Sequence, residues 1–435
     1  MGKKISTPVW RATQFALAIA AVTAASAQAG GLLLYEVGTP DVGLAAAGYT
    51  ARAQDAATVF TNPAGMTRLD GDQVTLGVQA LFGRTKFNVD EANSSARLGN
   101  HGGGNATGFF PGGGLFYSHS VSPDFKVGLA MTGNFGLSVQ YDDAWAGRYY
   151  TQEATLIGLS VVPAVAYRIN DKLSLGASMN AMRSSFKTKV AINNLIGADG
   201  QLELDDSTWG FGANLGLLYE FTPSTRVGLN YHSQIKLDFD SQPQWRGVGP
   251  LLNAGLQRTG LQNANINLGM NVPQGFNAGI YHELDSQWAL LGSLGWQQWS
   301  KFGEVDIGIS SNNPRNLTTA RDFKDTWHIA AGTQYRLSER YTLMGGIAYD
   351  SEFQDSSAIP PAIPANDTWR FGVGAQINES KALSWGLSLQ YLYAGTLNTN
   401  LSAALPAGGL RGNLSGSYDR PAGILFMAAN MNYKF

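Results

Sequence analysis

Residues 30–72 read GGLLLYEVGTPDVGLAAAGYTARAQDAATVFTNPAGMTRLDGD. The segment is rich in Gly and Ala, poor in charge, and lacks the two-residue alternation that fills almost everything after it, so it makes a poor strand. If the remainder closes into a barrel, a compact apolar segment at its entrance belongs inside, as a plug. A plugged barrel is a gated one.

Downstream, the alternation is explicit. Val74, Leu76, Val78, Ala80 and Phe82 share one face of a strand within residues 73–89, with Gln73, Thr75, Gly77 and Gln79 on the other. The same period returns in Trp209-Phe211-Ala213-Leu215-Leu217, Trp327-Ile329-Ala331, Trp369-Phe371-Val373 and Trp385-Leu387-Leu389-Tyr391. Period two is the strand signature. Because Arg or Lys facing mid-bilayer lipid costs about 2–4 kcal/mol, the apolar face must be the outer one.

Tight turns punctuate the run at Ser122-Pro123-Asp124, Asn170-Asp171-Lys172, Thr222-Pro223-Ser224, Asp285-Ser286-Gln287, Ser338-Glu339-Arg340 and Asn378-Glu379-Ser380. Longer linkers fall at 90–108, 141–150, 191–207, 241–272, 310–323, 354–367 and 398–421. Short turns alternating with long loops predict an all-β, 14-stranded antiparallel transmembrane β-barrel plugged by a small N-terminal hatch, with both termini periplasmic. The domains expected are an N-terminal leader at 1–29, a hatch at 30–72 and the barrel at 73–435.

Upstream, Lys3, Lys4 and Arg11 precede an apolar run from Phe15 to Ala25, and Ala27-Gln28-Ala29 follows. That is the pattern of a secretory signal peptide, and the run is too short to span a bilayer. Only 14% of the 435 residues are charged, against about 25% in soluble domains. The net charge of -2 gives no reason to expect a nucleic-acid partner, and zero cysteines exclude disulfides and thiolate metal sites. The last strand carries Leu425, Met427, Ala429, Met431, Tyr433 and Phe435 on one face, a terminal aromatic like the assembly signal of outer-membrane barrels.

Gly43-Leu44, Gly48, Asp55-Ala56 and the run Asn62-Pro63-Ala64-Gly65-Met66 together resemble the N-terminal hatch of the FadL and TodX type of long-chain fatty-acid and hydrocarbon transporters, where Asn-Pro-Ala recurs. Asn134-Phe135-Gly136-Leu137 followed by Trp145-Ala146-Gly147 resembles that family's third strand and its loop. Val162-Pro163-Ala164-Val165-Ala166-Tyr167 running into Asn170-Asp171-Lys172 resembles the fourth strand and its turn. The resemblance implies passive uptake of hydrophobic compounds across the bacterial outer membrane. It also implies a mobile hatch end at Gly30, Gly31, Leu32, Leu33 and Leu34, and a lateral gap at Gly133, Asn134, Phe135 and Gly136. Glycine inside a strand suits such a break, and Pro163 is a second possible one.

Physical reasoning adds roles beside that inheritance. A chain of sixteen carbons, at about 0.8 kcal/mol per buried CH₂, binds too tightly to leave unless a weaker capture site and a movable part exist. Loops 191–207 and 241–272 are the capture candidates, with Trp245, Leu251, Leu252 and Leu256 as the apolar landing surface and residues 250–262 as a short amphipathic helix. The competing assignment is that these loops pack on one another as a lid. On the face opposite the lipid, Lys236, His328 and Arg370 are the cations available to a carboxylate, with Arg52 in the hatch. Met182, Phe186, Met344 and Leu392 would suit an acyl chain or ring. The alternative is that the cations pair with Asp238, Asp350 or hatch carboxylates.

Catalytic motifs are missing from the sequence: the five histidines form no HExxH, no GxSxG is present, and no cofactor is expected. A general porin for small polar solutes and an outer-membrane enzyme or adhesin are the rival functions. The partners expected are a hydrophobic small molecule, outer-membrane lipid and lipopolysaccharide, and the barrel assembly machinery during biogenesis, around a monomer.

Overall fold

The computed structural model describes residues 33–435 apart from 195, 303, 311–314, 321, 403–410 and 419–421. The expected leader at 1–29, and Gly30, Gly31 and Leu32 of the expected mobile end, lie outside the described residues.

Fourteen antiparallel strands close a ring. In chain order they are β1 (Gln73–Arg84), β2 (Phe109–Ser120), β3 (Phe125–Gln140), β4 (Glu153–Arg168), β5 (Leu173–Ile192), β6 (Gly200–Thr222), β7 (Thr225–His232), β8 (Gly275–Glu283), β9 (Trp288–Gln297), β10 (Thr326–Arg336), β11 (Tyr341–Asp350), β12 (Thr368–Asn378), β13 (Leu383–Gly395) and β14 (Ala422–Lys434). The ring shuts where β1 pairs β14, from Gln73 opposite Lys434 to Arg84 opposite Gly423. Closure leaves every strand paired on both sides, which a lipid-facing backbone requires.

All six predicted turns fall between strands, at one end of the barrel. At the other end the chain keeps pairing beyond the wall. Ile235–Ser241, Asn265–Val272, Glu304–Ser310 and Arg315–Ala320 form a four-stranded sheet, and Phe87–Val89, Leu414–Tyr418 and Asn398–Leu401 a three-stranded one. This corrects several expected loops. The linker placed at 191–207 is mostly strand, since β5 runs to Ile192 and β6 starts at Gly200, with Gln244–Arg246 added at β6's outer end. The linkers at 241–272 and 310–323 likewise contain strands. Polar residues such as Asp205 and Asp206 read as loop, but a strand that rises into water has no need of an apolar face.

The outward face is the apolar one. Val78, Phe211, Leu215, Ile329, Val373 and Leu387 are all exposed. Trp209, Tyr231, Trp327, Trp369 and Tyr393 mark the long-loop edge of this band, and Tyr167, Phe221, Trp288, Trp385 and Tyr433 the short-turn edge. These are the two interfacial girdles of a membrane barrel. From Trp385 to Tyr393 is about 27 Å along the strand, or roughly 20 Å of height at a 40° tilt.

Inside the ring lies the segment that precedes β1. It folds as a helix at Thr39–Gly43, a turn of helix at Thr58–Thr61 and a 3₁₀ helix at Pro63–Arg68. Residues 33–51 are buried throughout. The wall admits them because its lumen-facing positions there are glycine. A Cβ on Gly346 would stand 1.9 Å from the Leu44 carbonyl oxygen, on Gly228 2.0 Å from that of Thr50, and on Gly372 2.3 Å from that of Val42.

Candidate functional site

The Asn62-Pro63-Ala64 motif ties the inner segment to the wall. Asn62 caps the 3₁₀ helix, its Oδ1 accepting the Ala64 N–H at 3.2 Å, and Pro63 occupies the first helical position, where no N–H is needed. Asn62 Nδ2 donates to the Thr50 carbonyl at 2.7 Å and to that of Leu217 on β6 at 3.0 Å. A side chain on Gly216 would meet Asn62 Oδ1 at 2.2 Å, and one on Gly176 the Ala64 nitrogen at 2.3 Å. The motif therefore needs both its own residues and two wall glycines.

A buried ionic chain fixes the leading end. Arg370 on β12 donates to Glu36 and, through Nε at 2.5 Å, to Asp350 on β11. Asp350 holds His328 Nδ1 at 2.7 Å, and the His328 ring stacks on Tyr35 at 4.0 Å. Gln390 also donates to Glu36. Arg52 pairs with Asp41 at 2.8 Å, while Arg226 donates to the carbonyls of Ala51 and Arg52. The predicted lumenal cations His328 and Arg370 thus face inward as expected, but both are paired, as the alternative assignment held.

Lys236 is a correction. Its side chain is 63% exposed and pairs with Asp238 at 3.1 Å outside the lumen, while Ile235, Leu237 and Phe239 point inward and are buried. Ser233 and Gln234 interrupt the strand after His232, and one residue of slip exchanges the two faces. Met344 and Leu392 do face inward, but they clasp the inner segment: Met344 Sδ lies 2.8 Å from the position of a Gly43 Cβ, and Leu392 packs in one cluster with Val42.

The wall is broken beside the segment's first described residues. The β2–β3 ladder runs from Ser120–Lys126 to Gly114–Thr132 and stops there, although β3 continues to Gln140. Against β4, β3 bulges between Gly133 and Phe135, and Gly136 takes φ +149°. Backbone contact with the β2 side resumes where Gln140 N–H donates to the Ala106 carbonyl at 2.8 Å. The bulge aims Phe135, Leu137 and Val139 inward. Leu33 bridges to Phe135, and Leu34 N–H donates to the Asn134 carbonyl at 2.9 Å. Pro163 also interrupts a ladder, since the β4–β5 register skips from Val161–Ala181 to Ala164–Ser178.

Two cavities flank this break. The outer, of about 210 Å³, is apolar, lined by Leu137, Leu156, Phe186, Met270, Phe302 and Ile363, with Lys187 at its edge held by Glu153 at 2.9 Å. The inner, of about 50 Å³, lies against Leu33, Leu34, Asn134 and Met182. Of the predicted acyl-contacting residues, Phe186 reaches the outer cavity and Met182 the inner one. The expected capture residues reach neither: Trp245 sits on the strand added to β6, and Leu251, Leu252 and Leu256 lie on a helix, Pro250–Thr259, whose Leu251 is 73% exposed. A helix was expected over residues 250–262 and one forms over Pro250–Thr259, but none of its residues lines either cavity. Tyr35, Glu36 and the Asn-rich lining of the inner cavity escaped sequence reasoning, because nothing in a strand period tells which inward polar residue meets the inner segment.

A closed, girdled barrel with its lumen filled and its wall interrupted is an outer-membrane transport protein of the plugged type. A family model for outer membrane protein transport protein (OMPP1/FadL/TodX) matches residues 20–435, and the chain belongs to that family. Outer membrane protein P1 of Haemophilus influenzae is 27% identical over 95% of this chain and 97% of its own length. The long-chain fatty acid transport protein of Escherichia coli K12 is 26% identical over 89% of this chain and 93% of its own. The crystal structure of a Pseudomonas aeruginosa FadL homologue superposes with a TM-score of 0.83 at 20% identity, covering 93% of this chain and all of the other.

Proposed function

We propose that the protein passes hydrophobic compounds, long-chain fatty acids or related hydrocarbons, passively across the bacterial outer membrane. The observation that carries this reading is the pairing of a filled lumen with a gap in the wall at the end of the fill. Cargo enters the apolar outer cavity, crosses to the inner cavity when Leu33 and Leu34 move, and leaves sideways between β2 and β3. Lateral exit delivers an apolar molecule to membrane, where it is stable, and not to water. Residues 33–72 act as the hatch, preceded by an export signal at 1–29, and Gly133, Asn134, Phe135 and Gly136 as the gate. The capture surface is then the outer cavity, with the loop residues Trp245, Leu251, Leu252 and Leu256 as at most a first landing.

We read no catalytic step and no cofactor into this cycle, since Arg370, Asp350, Glu36, Arg52 and Asp41 are engaged with one another in holding the hatch. Outer-membrane lipid and lipopolysaccharide surround a monomeric barrel, and the assembly machinery meets the β14 end. The deciding test is uptake by cells that lack their own transporter: expression of this chain should give saturable uptake of radiolabelled palmitate or hexadecane. Planar bilayers containing the pure protein should show no large steady ion current. Large currents with no uptake would replace this reading by a porin.

A further inference from the structure

The inner cavity is ringed by carboxamides. Asn180 on β5, Asn214 on β6, Asn230 on β7, Asn277 on β8 and Gln297 on β9 all border it, with Asn134 at the wall gap. They sit on successive strands in adjoining register, Asn214 opposite His232 and Asn230 opposite Asn277. Among the described residues, no Asp, Glu, Lys or Arg lines this cavity. The cations that face the lumen nearby are committed elsewhere: Arg370 to Glu36 and Asp350, Arg52 to Asp41, Arg226 to two hatch carbonyls, and His328 to Asp350.

Among the described residues, two buried polar atoms at this belt have no hydrogen-bond partner. Asn180 is 7% exposed and its Oδ1 accepts no hydrogen bond; His232 Nε2 likewise has none. Leu33, Leu34, Phe60, Ile235 and Val272 supply apolar surface to the same cavity. A hydroxyl can donate to the carboxamide oxygen and still accept from a neighbour. A carboxylate brings only acceptors, and a full charge with no cation to meet it, which an enclosed site penalises heavily.

We propose that the inner cavity selects a neutral, hydrogen-bonding head group on an apolar chain, an alcohol being the simplest, and disfavours an ionised carboxylate. The proposal rests on the transport reading above and narrows its cargo. Fatty acids cross this site in the un-ionised form.

The test is equilibrium binding to the full chain in liposomes at pH 8, with radiolabelled 1-decanol, decanoate and decane, each corrected for protein-free liposomes. At that pH an unperturbed imidazole is neutral and decanoate is ionised. Decanol is expected to bind at least about tenfold tighter than decanoate. Asn180→Leu should weaken decanol several-fold, by about the worth of one hydrogen bond, with decane unchanged, and Asn180→Lys should bring decanoate up. Decanoate binding as tight as decanol to the unmodified chain overturns the proposal while leaving transport intact. Failure of all three ligands to bind saturably overturns the transport reading, and the proposal with it. The three-ligand comparison needs no variant, so a substitution that blocks assembly does not obscure the result.

Discussion

The Leu34 N–H donates to the carbonyl of Asn134 at 2.9 Å, and Asn134 is the residue that the β3 bulge leaves out of the β4 ladder. The first described residues of the inner segment are thereby bonded to the broken part of the wall, so a movement of one must disturb the other. This is a coupling between two places that the sequence keeps about a hundred residues apart.

Deleting Asn134 removes the extra residue of the bulge and keeps Phe135 facing inward, so β3 straightens against β4 without a change of face. The expected outcome is a heat-modifiable, correctly assembled barrel that loses most of its uptake of hydrophobic cargo. Normal uptake by an assembled deletion variant would count against exit at this gap.

Arg370 lies between Glu36 and Asp350 with about 1% of its side chain exposed. Arg370→Met removes the cation shared by two buried carboxylates and leaves Glu36 with only the Gln390 amide, a loss of about 3–5 kcal/mol for the state with the hatch seated. Hydrogen exchange should show residues 35–42 losing protection, while Glu36→Gln, which keeps the Arg370–Asp350 pair, does so less. Equal protection in all three chains would show that the ionic chain is not what seats the hatch.

Gly346→Val puts carbon where the Leu44 carbonyl oxygen already lies 1.9 Å from an added Cβ. Since the added side chain meets backbone and not a flexible side chain, the hatch has to move as a body. Planar-bilayer conductance should rise above that of the unmodified protein. Gly77→Ala, whose Cβ would find nothing nearer than 3.9 Å, should leave it unchanged.

Asp72 joins hatch to barrel at the short-turn end. The Ser120 backbone N–H, at 2.9 Å, and then His119, at 2.7 Å, hold its carboxyl below the usual aspartate range. Because the folded value is the lower one, the stabilisation is complete above the unfolded pKa of about 3.9 and is lost as pH falls through the depressed value. Denaturant midpoints should therefore fall more steeply on acidification below about pH 4 for the unmodified chain than for Asp72→Asn. Parallel curves for the two would remove Asp72 from the account of acid lability.

The alternation of Val74 to Phe82, of Trp327 to Ile329 and of Trp385 to Tyr391 determined by itself that this chain makes a membrane barrel, because a strand's two faces are set by a period of two and lipid accepts one of them. The six turns and the long linkers were enough for fourteen strands, and the resemblance that begins at Asn62-Pro63-Ala64 pointed to the family. What each inward residue meets was decided only in three dimensions. A one-residue slip after His232 carried Lys236 outside, the approach of Gly43 placed Met344 against the inner segment, and Arg370 came to rest paired with Glu36 and Asp350. Periodicity assigns a face, but contacts between residues hundreds of positions apart depend on ring closure and on where the hatch comes to rest inside it.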